Sequence, residues 1–336
     1  MQSDEIGRIV AEVLKKLEKE DLGSVVTVPC PAAAPASGDG VLFPSVDAAV
    51  KAAITAQEAF HELGLEARRE IIRAMRKAAI ANAEKLAQMA VQETGMGRVA
   101  DKIQKNLVCA TRTPGVEDLV SRAYTGDKGL TLVEYAPYGV VAAITPSTNP
   151  AATIINNAIS ILAAGNSVVF APHPASFKTC VETMRLLSAA AVGAGAPRSL
   201  MTTYEKPSQE GTKNLLAHPD TRVNMVTGGP AIVKVAMTVG KTCKTIAAGP
   251  GNPPVVVDET AVFPKCAQDV IFGASFDNNV LCTAEKEVIV VEAAKAKFLD
   301  AMRADKRAFE LNAEQCAALT KLVIKEGAWM QRPGPQ

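Results

Sequence analysis

Short apolar runs alternate with helical segments from about residue 130 to residue 258. A run such as "VVFAP" contains no polar residue, so both of its faces must be buried. Strands of this kind, alternating with helices, form a parallel sheet that helices cover on both sides. The alternation therefore predicts an α/β fold in which ligands bind at the carboxyl ends of the strands. The predicted strands are Tyr138–Thr145, Ser167–Ala171, Leu200–Tyr204, Val223–Thr227, Thr245–Ala247 and Pro254–Asp258, and the helices between them are 150–163, 176–193, 207–217 and 230–240.

The chain before residue 130 is predicted to be mainly helical. Apolar residues recur at helical spacing over 45–59 and again over 66–93. Gly95 follows the second of these segments, in the position of a glycine that ends a helix.

The chain begins with "MQSDEIGRIVAEVLKKL", in which apolar residues recur at helical spacing. Ser3 can cap this amphipathic helix, which we assign to residues 1–20, and a flexible linker rich in Pro, Ala and Gly follows over 21–42. The linker leaves the apolar stripe of the helix without a local core. Two interpretations stay open: the helix frays or folds back on its own domain, or it is a docking peptide for a groove on a partner.

Composition argues against several classes of protein. The formal net charge is +1, which gives no electrostatic reason to expect a nucleic-acid partner. The seven cysteines include no C-x-x-C pair, and the three histidines form no metal-spaced set with them, so we expect no metal site. No apolar stretch is long enough to span a bilayer without interruption, and we expect no membrane contact. The scattered cysteines and the lack of a signal peptide favour a reduced, intracellular protein.

Three predicted strands end in loops that could contact a ligand. The paired glycines of "VTGGP" let the backbone approach a phosphate, and the helix that follows offers N–H groups. The G-x-G-x-x-G fingerprint is absent, and each loop taken alone is more often an ordinary turn. The candidate cofactor-binding residues of these loops are Thr145, Pro146, Ser147, Pro172, His173, Thr227, Gly228 and Gly229.

Five motifs occur in the order and spacing of one enzyme family. They are "ITPSTNP", "LAAGNSVVFAPHP", "VTGGPAIV", "AAGPGNPPVVV" and "FDNNVLCTAEKEVIV", within residues 43–310. They resemble the aldehyde dehydrogenase superfamily, and most closely its CoA-acylating branch, the acetaldehyde and propionaldehyde dehydrogenases of ethanolamine and propanediol utilisation. The resemblance implies a Rossmann-type NAD-binding domain over 43–240 and an α/β catalytic domain over 241–336. It also implies oxidation of a short-chain aldehyde, with NAD and coenzyme A, to an acyl-CoA.

By this resemblance Cys282 is the nucleophile. A cysteine thiolate attacks the aldehyde carbonyl, hydride leaves for the nicotinamide, and a thioester remains on the enzyme. The side-chain amide of Asn149 and the backbone N–H of Cys282 match the family's pair of oxyanion donors. Gly249 joins the residues assigned to the cofactor. Five other cysteines are expected to fill helices and strands: Cys109, Cys180, Cys243, Cys266 and Cys316.

The sequence departs from the family pattern at informative positions. Hydrolytic relatives carry a glutamate that activates water where this chain has Ala247. Alanine cannot accept a proton, so the acyl-enzyme is expected to persist until the CoA thiolate takes the acyl group. Ala171 and His173 replace a lysine and a serine of the loop that holds the adenosine ribose, which leaves the choice between NAD and NADP open. The family continues past the point where this chain ends, so the catalytic domain is expected to be partial.

Two alternatives to the CoA-acylating enzyme stay open. One is a hydrolytic aldehyde dehydrogenase, which Ala247 disfavours. The other is a truncated, catalytically inert cargo protein that its N-terminal helix recruits to an assembly. Tails like residues 1–17 resemble the encapsulation peptides that bind shell proteins of bacterial microcompartments. The resemblance thus implies a place in the microcompartment lumen, and a homo-oligomer as in the full-length family.

Overall fold

A computed structural model describes residues 38–239, 243–325 and 328–329. The chain divides into two compact units, the first ending at Pro250 and the second beginning at Gly251. This division falls later than the domain boundary predicted between residues 240 and 241. The reason is that the strand Lys244–Ala248 pairs with the sheet of the first unit.

A six-stranded sheet forms the centre of the first unit, and every neighbouring pair of its strands is parallel. This arrangement confirms the predicted α/β fold class. The strands are β1 (Leu42–Phe43), β4 (Val140–Thr145), β5 (Ser167–Pro172), β6 (Met201–Tyr204), β7 (Thr221–Thr227) and β8 (Lys244–Ala248), and a separate antiparallel hairpin supplies β2 (Arg122–Gly126) and β3 (Gly129–Val133). The order across the sheet is β1-β6-β5-β4-β7-β8.

Helices cover both faces of this sheet. They are α1 (Val46–His61), α2 (Leu65–Ala81), α3 (Ala83–Thr94), α4 (Val99–Arg112), α5 (Pro150–Ala163), α6 (Phe177–Gly193), α7 (Gln209–Ala217) and α8 (Pro230–Thr238). Alternate side chains of β4 enter separate cores: Val141 and Ala143 pack with α2 to α6, whereas Ala142 and Ile144 pack with α1, α7 and α8. Because both faces are buried, β4 is apolar from Val140 to Ile144, as the sequence predicted.

The described residues at the end of the predicted linker belong to the folded unit. Val41 is fully buried, and the Asp39 carboxylate accepts hydrogen bonds from the N–H groups of Val41 and Leu42. Leu42 then pairs with Thr203 of β6. The expectation of a flexible linker over 21–42 is therefore wrong for its last residues, because Val41 is buried and Leu42 pairs with the sheet. The helix assigned to residues 1–20 and the rest of the linker up to residue 37 lie outside the described residues.

The helix predicted over 66–93 is in fact two helices, α2 and α3. Asn82 separates them with φ −108° and ψ 10°, and its side-chain amide donates to the Ala78 carbonyl. The apolar period continues through this break, since Ile80, Ala83 and Leu86 are all buried. The break is therefore invisible in the hydrophobic pattern.

Helix α4 and the hairpin of β2 and β3 were not predicted either. Helix α4 buries Asp101, Lys102, Lys105 and Asn106, and these polar residues hide its helical period. The hairpin of β2 and β3 is exposed on every residue, so it shows no inward-facing apolar pattern. Short 3-10 turns occur at Val116–Asp118 and Pro174–Ser176, and a tight turn with left-handed residues occurs in the second unit at Phe276–Asn279.

The second unit contains a two-stranded parallel sheet with its own small core. Strands β9 (Pro254–Val257) and β10 (Glu287–Val290) pair in register, and helices α9 (Lys265–Ser275) and α10 (Glu292–Ala304) pack around them. Val257, Ala267 and Phe298 are among the buried residues of this core. Helix α11 (Ala313–Val323) and the short antiparallel strands β11 (Ile324–Lys325) and β12 (Ala328–Trp329) follow.

Two features are absent from the described residues. No helix among them is long and apolar enough to cross a membrane. No cluster of three or more His, Cys, Asp or Glu side chains within these same residues could hold a metal ion.

Candidate active site

The carboxyl ends of four neighbouring strands bring the predicted cofactor-binding loops to one edge of the sheet. The strands stand in the order β5-β4-β7-β8. The His173 N–H donates to the Thr145 carbonyl at 3.2 Å, and the Gly228 N–H donates to the Ala248 carbonyl at 3.1 Å. These bonds join the loop after β5 to the end of β4, and the loop after β7 to the end of β8. The residues gathered at this edge are Thr145, Pro146, Ser147, Asn149, Pro172, His173, Thr227, Gly228, Gly229 and Gly249.

The N-terminus of α6, which opens at this edge, is already occupied by a carboxylate of the chain. Glu93 accepts the N–H of Lys178 through Oε1 at 2.8 Å. It accepts the N–H and the hydroxyl of Thr179 through Oε2 at 2.8 and 2.6 Å. The free N–H groups of a helix N-terminus attract anions, and Glu93 satisfies that demand internally. We therefore expect no external phosphate to bind at the N-terminus of α6.

The N-terminus of α8 differs from that of α6. Its N-cap is Gly229, no side chain caps it, and its first turn contains no acidic residue. Pro230 stands at the first helical position, where its missing N–H costs nothing. A β-carbon on Gly228 would come within 2.5 Å of the Ile232 side chain, so the turn requires glycine there. The N-terminus of α8 thus has uncapped N–H groups, and the glycines before it let a ligand come close to the backbone. These features suit the diphosphate of a dinucleotide.

His173 shapes the loop after β5 rather than acting as a free base. Its Nδ1 accepts the Ala175 N–H at 3.1 Å, which caps the 3-10 turn that leads into α6. Desolvation of the ring lowers the pKa of His173 below its ordinary value. The imidazole is therefore neutral at neutral pH, and one of its nitrogens is engaged in the turn.

Asn149 is the N-cap residue of α5, but its side chain does not cap that helix. Asparagine at this position usually accepts an N–H of the first turn through Oδ1. Here Oδ1 accepts from the Lys105 ammonium at 2.5 Å, and Nδ2 donates to the Thr148 hydroxyl at 3.0 Å. The half-buried amide is thus turned away from its own helix.

Two buried lysines of α4 approach the loop that contains Asn149, and the sequence analysis missed both. Lys102 is 2% exposed and donates to the Thr148 carbonyl at 3.0 Å, and Lys105 is 8% exposed. With Asn106, Asn149 and Pro150 they line a small cavity. The only signal in the sequence was the spacing of Lys102 and Lys105, which places both on one face of a helix.

Cys282 lies in a tight loop of the second unit, between α9 and β10, and is half-buried. Asp277, Asn278 and Asn279 precede it in the left-handed region, with φ of 49°, 54° and 57°. Three such residues in a row are strained for side chains other than glycine. The Asn279 amide holds this turn, since Nδ2 donates to the carbonyls of Ala274 and Glu285 at 2.7 and 3.1 Å.

Lys286 closes the other side of the same loop. Its ammonium donates to the Leu281 and Ala284 carbonyls at 3.1 and 3.2 Å, and also to Oδ1 of Asn279. Its own N–H donates to the Pro253 carbonyl. The residues on both sides of Cys282 are therefore tied to one cation, which places a positive charge at the loop.

Gly251 packs directly against the backbone of Cys282. A β-carbon at Gly251 would lie 2.0 Å from the Cys282 carbonyl oxygen. Gly273 has a similar role on α9, where a β-carbon would lie 2.0 Å from the Glu285 carboxylate. Glycines on two sides thus allow the loop to sit close to its neighbours within the unit.

Four of the other cysteines in the described residues, Cys109, Cys180, Cys266 and Cys316, are distinguished by their exposure or by a raised pKa. Cys180 is fully buried, and burial raises its pKa to about 12, so it remains a thiol at neutral pH. Burial also raises the pKa of Cys109 and of Cys266. Cys316 is exposed, which corrects the expectation that it fills a helix core.

The comparisons with known proteins agree on one family. The aldehyde dehydrogenase family matches residues 43–320. An acetaldehyde dehydrogenase (acetylating) of Bilophila wadsworthia is 42% identical over 344 residues, which cover 100% of this chain and 70% of the relative. A propanal dehydrogenase (CoA-propanoylating) of Citrobacter freundii is 43% identical over 88% of this chain and 64% of its own length.

Solved structures give the same result. A propionaldehyde dehydrogenase from the fucose utilisation microcompartment of Clostridium phytofermentans superposes with a TM-score of 0.81 at 44% identity, over 87% of this chain and 66% of that one. A propionaldehyde dehydrogenase of Rhodopseudomonas palustris with bound CoA and an acylated cysteine also gives 0.81 at 44% identity, over 86% and 66%. The chain therefore spans about two thirds of the length of the proteins it matches.

Proposed function

We propose, from the premise that this chain belongs to the aldehyde dehydrogenase family, that the whole protein is a CoA-acylating aldehyde dehydrogenase. It oxidises acetaldehyde or propionaldehyde with a nicotinamide dinucleotide and coenzyme A. One observation carries the proposal: the matched region contains a half-buried cysteine, Cys282, in a loop held by Lys286 and Asn279. The names of the relatives favour this activity over hydrolysis.

The Cys282 thiolate forms the first bond of the reaction. Its sulfur attacks the aldehyde carbon, and the carbonyl oxygen becomes an oxyanion. Collapse of the oxyanion expels hydride and leaves a thioester on Cys282. The dinucleotide, held where β4, β5, β7 and β8 end, would supply the hydride acceptor. The CoA thiolate then attacks the thioester carbon, and Cys282 leaves as a thiolate. Asn149 has the role of oxyanion donor, since an amide N–H stabilises the charge that develops on the oxygen.

The dinucleotide binds along the edge where β4, β5, β7 and β8 end. The uncapped N-terminus of α8, with Gly228 and Gly229 before it, suits the diphosphate. NAD is our proposal for the dinucleotide, because the Glu93 carboxylate at the N-terminus of α6, beside the loop after β5, would repel the 2′-phosphate of NADP. A comparison of the kcat/KM values for NAD and NADP tests this choice.

Ala247 explains why the acyl group reaches CoA instead of water. Hydrolysis of a thioester at neutral pH needs a base that activates water, and the alanine side chain has none. Ala247 is exposed on β8, with no carboxylate of its own to offer. The acyl-enzyme therefore waits for the CoA thiolate, and the energy of the thioester is conserved.

The protein's place in the cell follows from its N-terminus. We place it in the lumen of a bacterial microcompartment, with residues 1–17 bound to a shell protein. The amphipathic pattern of these residues supports this placement, as does the microcompartment origin of one similar structure. We also propose a homo-oligomer. In it, a second subunit covers the exposed Leu130 and Leu132 of the hairpin formed by β2 and β3.

The test of the activity is an assay of NADH formation from acetaldehyde and propionaldehyde, with and without CoA. NADH formation that depends on CoA supports the proposal, and acid formation without CoA contradicts it. Cys282→Ala should abolish the activity, whereas Cys316→Ala, at an exposed thiol, should leave it unchanged. Intact-mass measurement without CoA should find one acyl group on the wild type and none on Cys282→Ala. Turnover by Cys282→Ala would assign the nucleophile to another residue.

A further inference from the structure

Lys105 makes the closest polar contact to Asn149 in the described residues. Its ammonium lies 2.5 Å from Oδ1 of Asn149, and the lysine side chain is 8% exposed. A lysine is seldom buried to this extent without a specific partner. The contact joins the middle of α4 to the residue that begins α5, 44 positions later in the chain.

The position of Lys105 is fixed from two sides. One turn earlier on α4, Lys102 donates to the Thr148 carbonyl at 3.0 Å, so the loop before α5 is held at its backbone as well as at its amide. One residue later, the Asn106 amide donates to the Ala83 carbonyl at 3.0 Å and anchors α4 to α3. The ammonium is therefore presented from a rigid element.

The contact decides which way the Asn149 amide points. An ammonium has three donors and no acceptor, so it must face the oxygen end of the amide. The NH₂ group then lies at the opposite end, where one of its hydrogens bonds the Thr148 hydroxyl. Within the described residues, the second hydrogen has no acceptor and can serve a ligand. Without Lys105, Oδ1 could turn to cap α5, as asparagine usually does at this position.

We propose that Lys105 is a positioning residue: it holds the Asn149 amide so that the NH₂ group, and not the oxygen, is available to the reacting oxygen, and its charge strengthens that donor. The proposal rests on the proposed function, in which Asn149 stabilises the oxyanion. A charge-assisted bond to the amide oxygen draws electrons from the amide nitrogen, which makes its N–H groups better donors. Lys105 itself does not touch the substrate.

The test measures kcat and KM for Lys105→Met, Lys105→Arg, Asn149→Ala and the double variant Lys105→Met/Asn149→Ala. We expect Asn149→Ala to lower kcat about 10²- to 10³-fold, the usual cost of one oxyanion donor. Lys105→Met should lower kcat about 10- to 100-fold with KM little changed, because the amide stays but turns. Lys105→Arg, which keeps the charge, should recover part of the loss. In the Asn149→Ala background, Lys105→Met should have almost no further effect.

The matched control is Lys85→Met, at a lysine of α3 whose ammonium bonds the Glu182 carboxylate at the surface; its kcat should equal that of the wild type. Equal losses from Lys105→Met in both backgrounds would make Lys105 purely structural and overturn the proposal, as would a loss under threefold. If Asn149→Ala has no effect on kcat, the proposal also fails.

A readout without turnover separates this proposal from the proposed function. If the wild type shows no CoA-dependent NADH formation, the proposed function fails, and the side-chain ¹⁵N resonance of Asn149 then decides on Lys105. That resonance, identified by its absence in Asn149→Ala, should shift in Lys105→Met and stay in place in Lys85→Met. An unchanged resonance in Lys105→Met would overturn the positioning role.

Discussion

Gly251 lies so close to Cys282 that a β-carbon on it would stand 2.0 Å from the Cys282 carbonyl oxygen. Gly251→Ala must therefore push the loop outward. We expect a loss of about 1–3 kcal/mol in the free energy of unfolding, typical of overpacking. We also expect acyl-CoA formation to fall about tenfold or more, because a displaced nucleophile attacks poorly. Thermal melts and CoA-dependent NADH formation measure the two effects.

Gly193→Ala is the matched control, because a β-carbon there meets nothing within 4 Å and the residue lies at the carboxyl end of α6, away from the cofactor-binding loops. Its stability and activity should stay close to those of the wild type. Equal behaviour of the two variants would show that the loop can move without consequence, and would contradict the role given to Gly251.

Glu93 tests the internal capping of α6. Glu93→Gln keeps the shape of the side chain but removes the negative charge that accepts from Lys178 and Thr179. We expect the free energy of unfolding to fall by about 1–2 kcal/mol, because a charged cap at a helix N-terminus is lost. Chemical denaturation measures it. Glu58→Gln, on the exposed side of α1, is the control and should change stability by less than about 0.5 kcal/mol. If Glu93→Gln and Glu58→Gln change the free energy of unfolding equally, the charge of Glu93 does not stabilise the N-terminus of α6.

The sheet and its helices could be predicted from the sequence where local signals agree with burial. The prediction of helix 150–163 matches α5, because Pro150 stands at its first position and its residues are almost all buried. Strand β4 was predicted to begin at Tyr138, but the N–H groups of Tyr138 and Gly139 bond the Asn166 side chain instead, and pairing begins at Val140. Such a substitution of partners depends on a residue far along the chain, and no local pattern reveals it.

The site was only partly predictable, for a related reason. Residues at strand ends, such as Thr145 and Gly228, could be found because parallel strands end at one edge. Lys102 and Lys105 could not be found in this way. A polar residue on the buried face of α4 has the sequence pattern of an exposed residue, and only its partner in the loop before α5 shows that it is buried. Two of the polar side chains that hid α4 from the sequence analysis, Lys102 and Lys105, bond the loop that contains Asn149.

Ala247→Glu should convert part of the activity into hydrolysis, because it supplies a general base where hydrolytic relatives carry one. The exposed position on β8 should tolerate the larger side chain. Acid production without CoA measures the effect. Ala248→Glu is the control, since the neighbouring residue of a strand points to the opposite face; it should not raise acid production. If Ala247→Glu still makes acyl-CoA and its acid production stays at background, Ala247 does not determine the fate of the thioester.

Residues 1–20 should direct the protein to its compartment without affecting catalysis. An amphipathic helix gains most of its stability when its apolar face packs against another surface, and the linker leaves this stripe without a local core. Deletion of residues 1–20 should leave kcat unchanged and release the protein into the bulk cytoplasm. Ile9→Glu with Leu14→Glu should have the same effect, because both changes place charge on the apolar stripe.

The control is Ala11→Glu with Arg8→Gln. This pair changes the net charge equally but lies on the polar face, so the control protein should remain in the compartment. Fluorescence imaging of the tagged variants beside intact compartments measures the location. Lower thermal stability after deletion, with the location unchanged, would instead mean that the helix packs on its own domain.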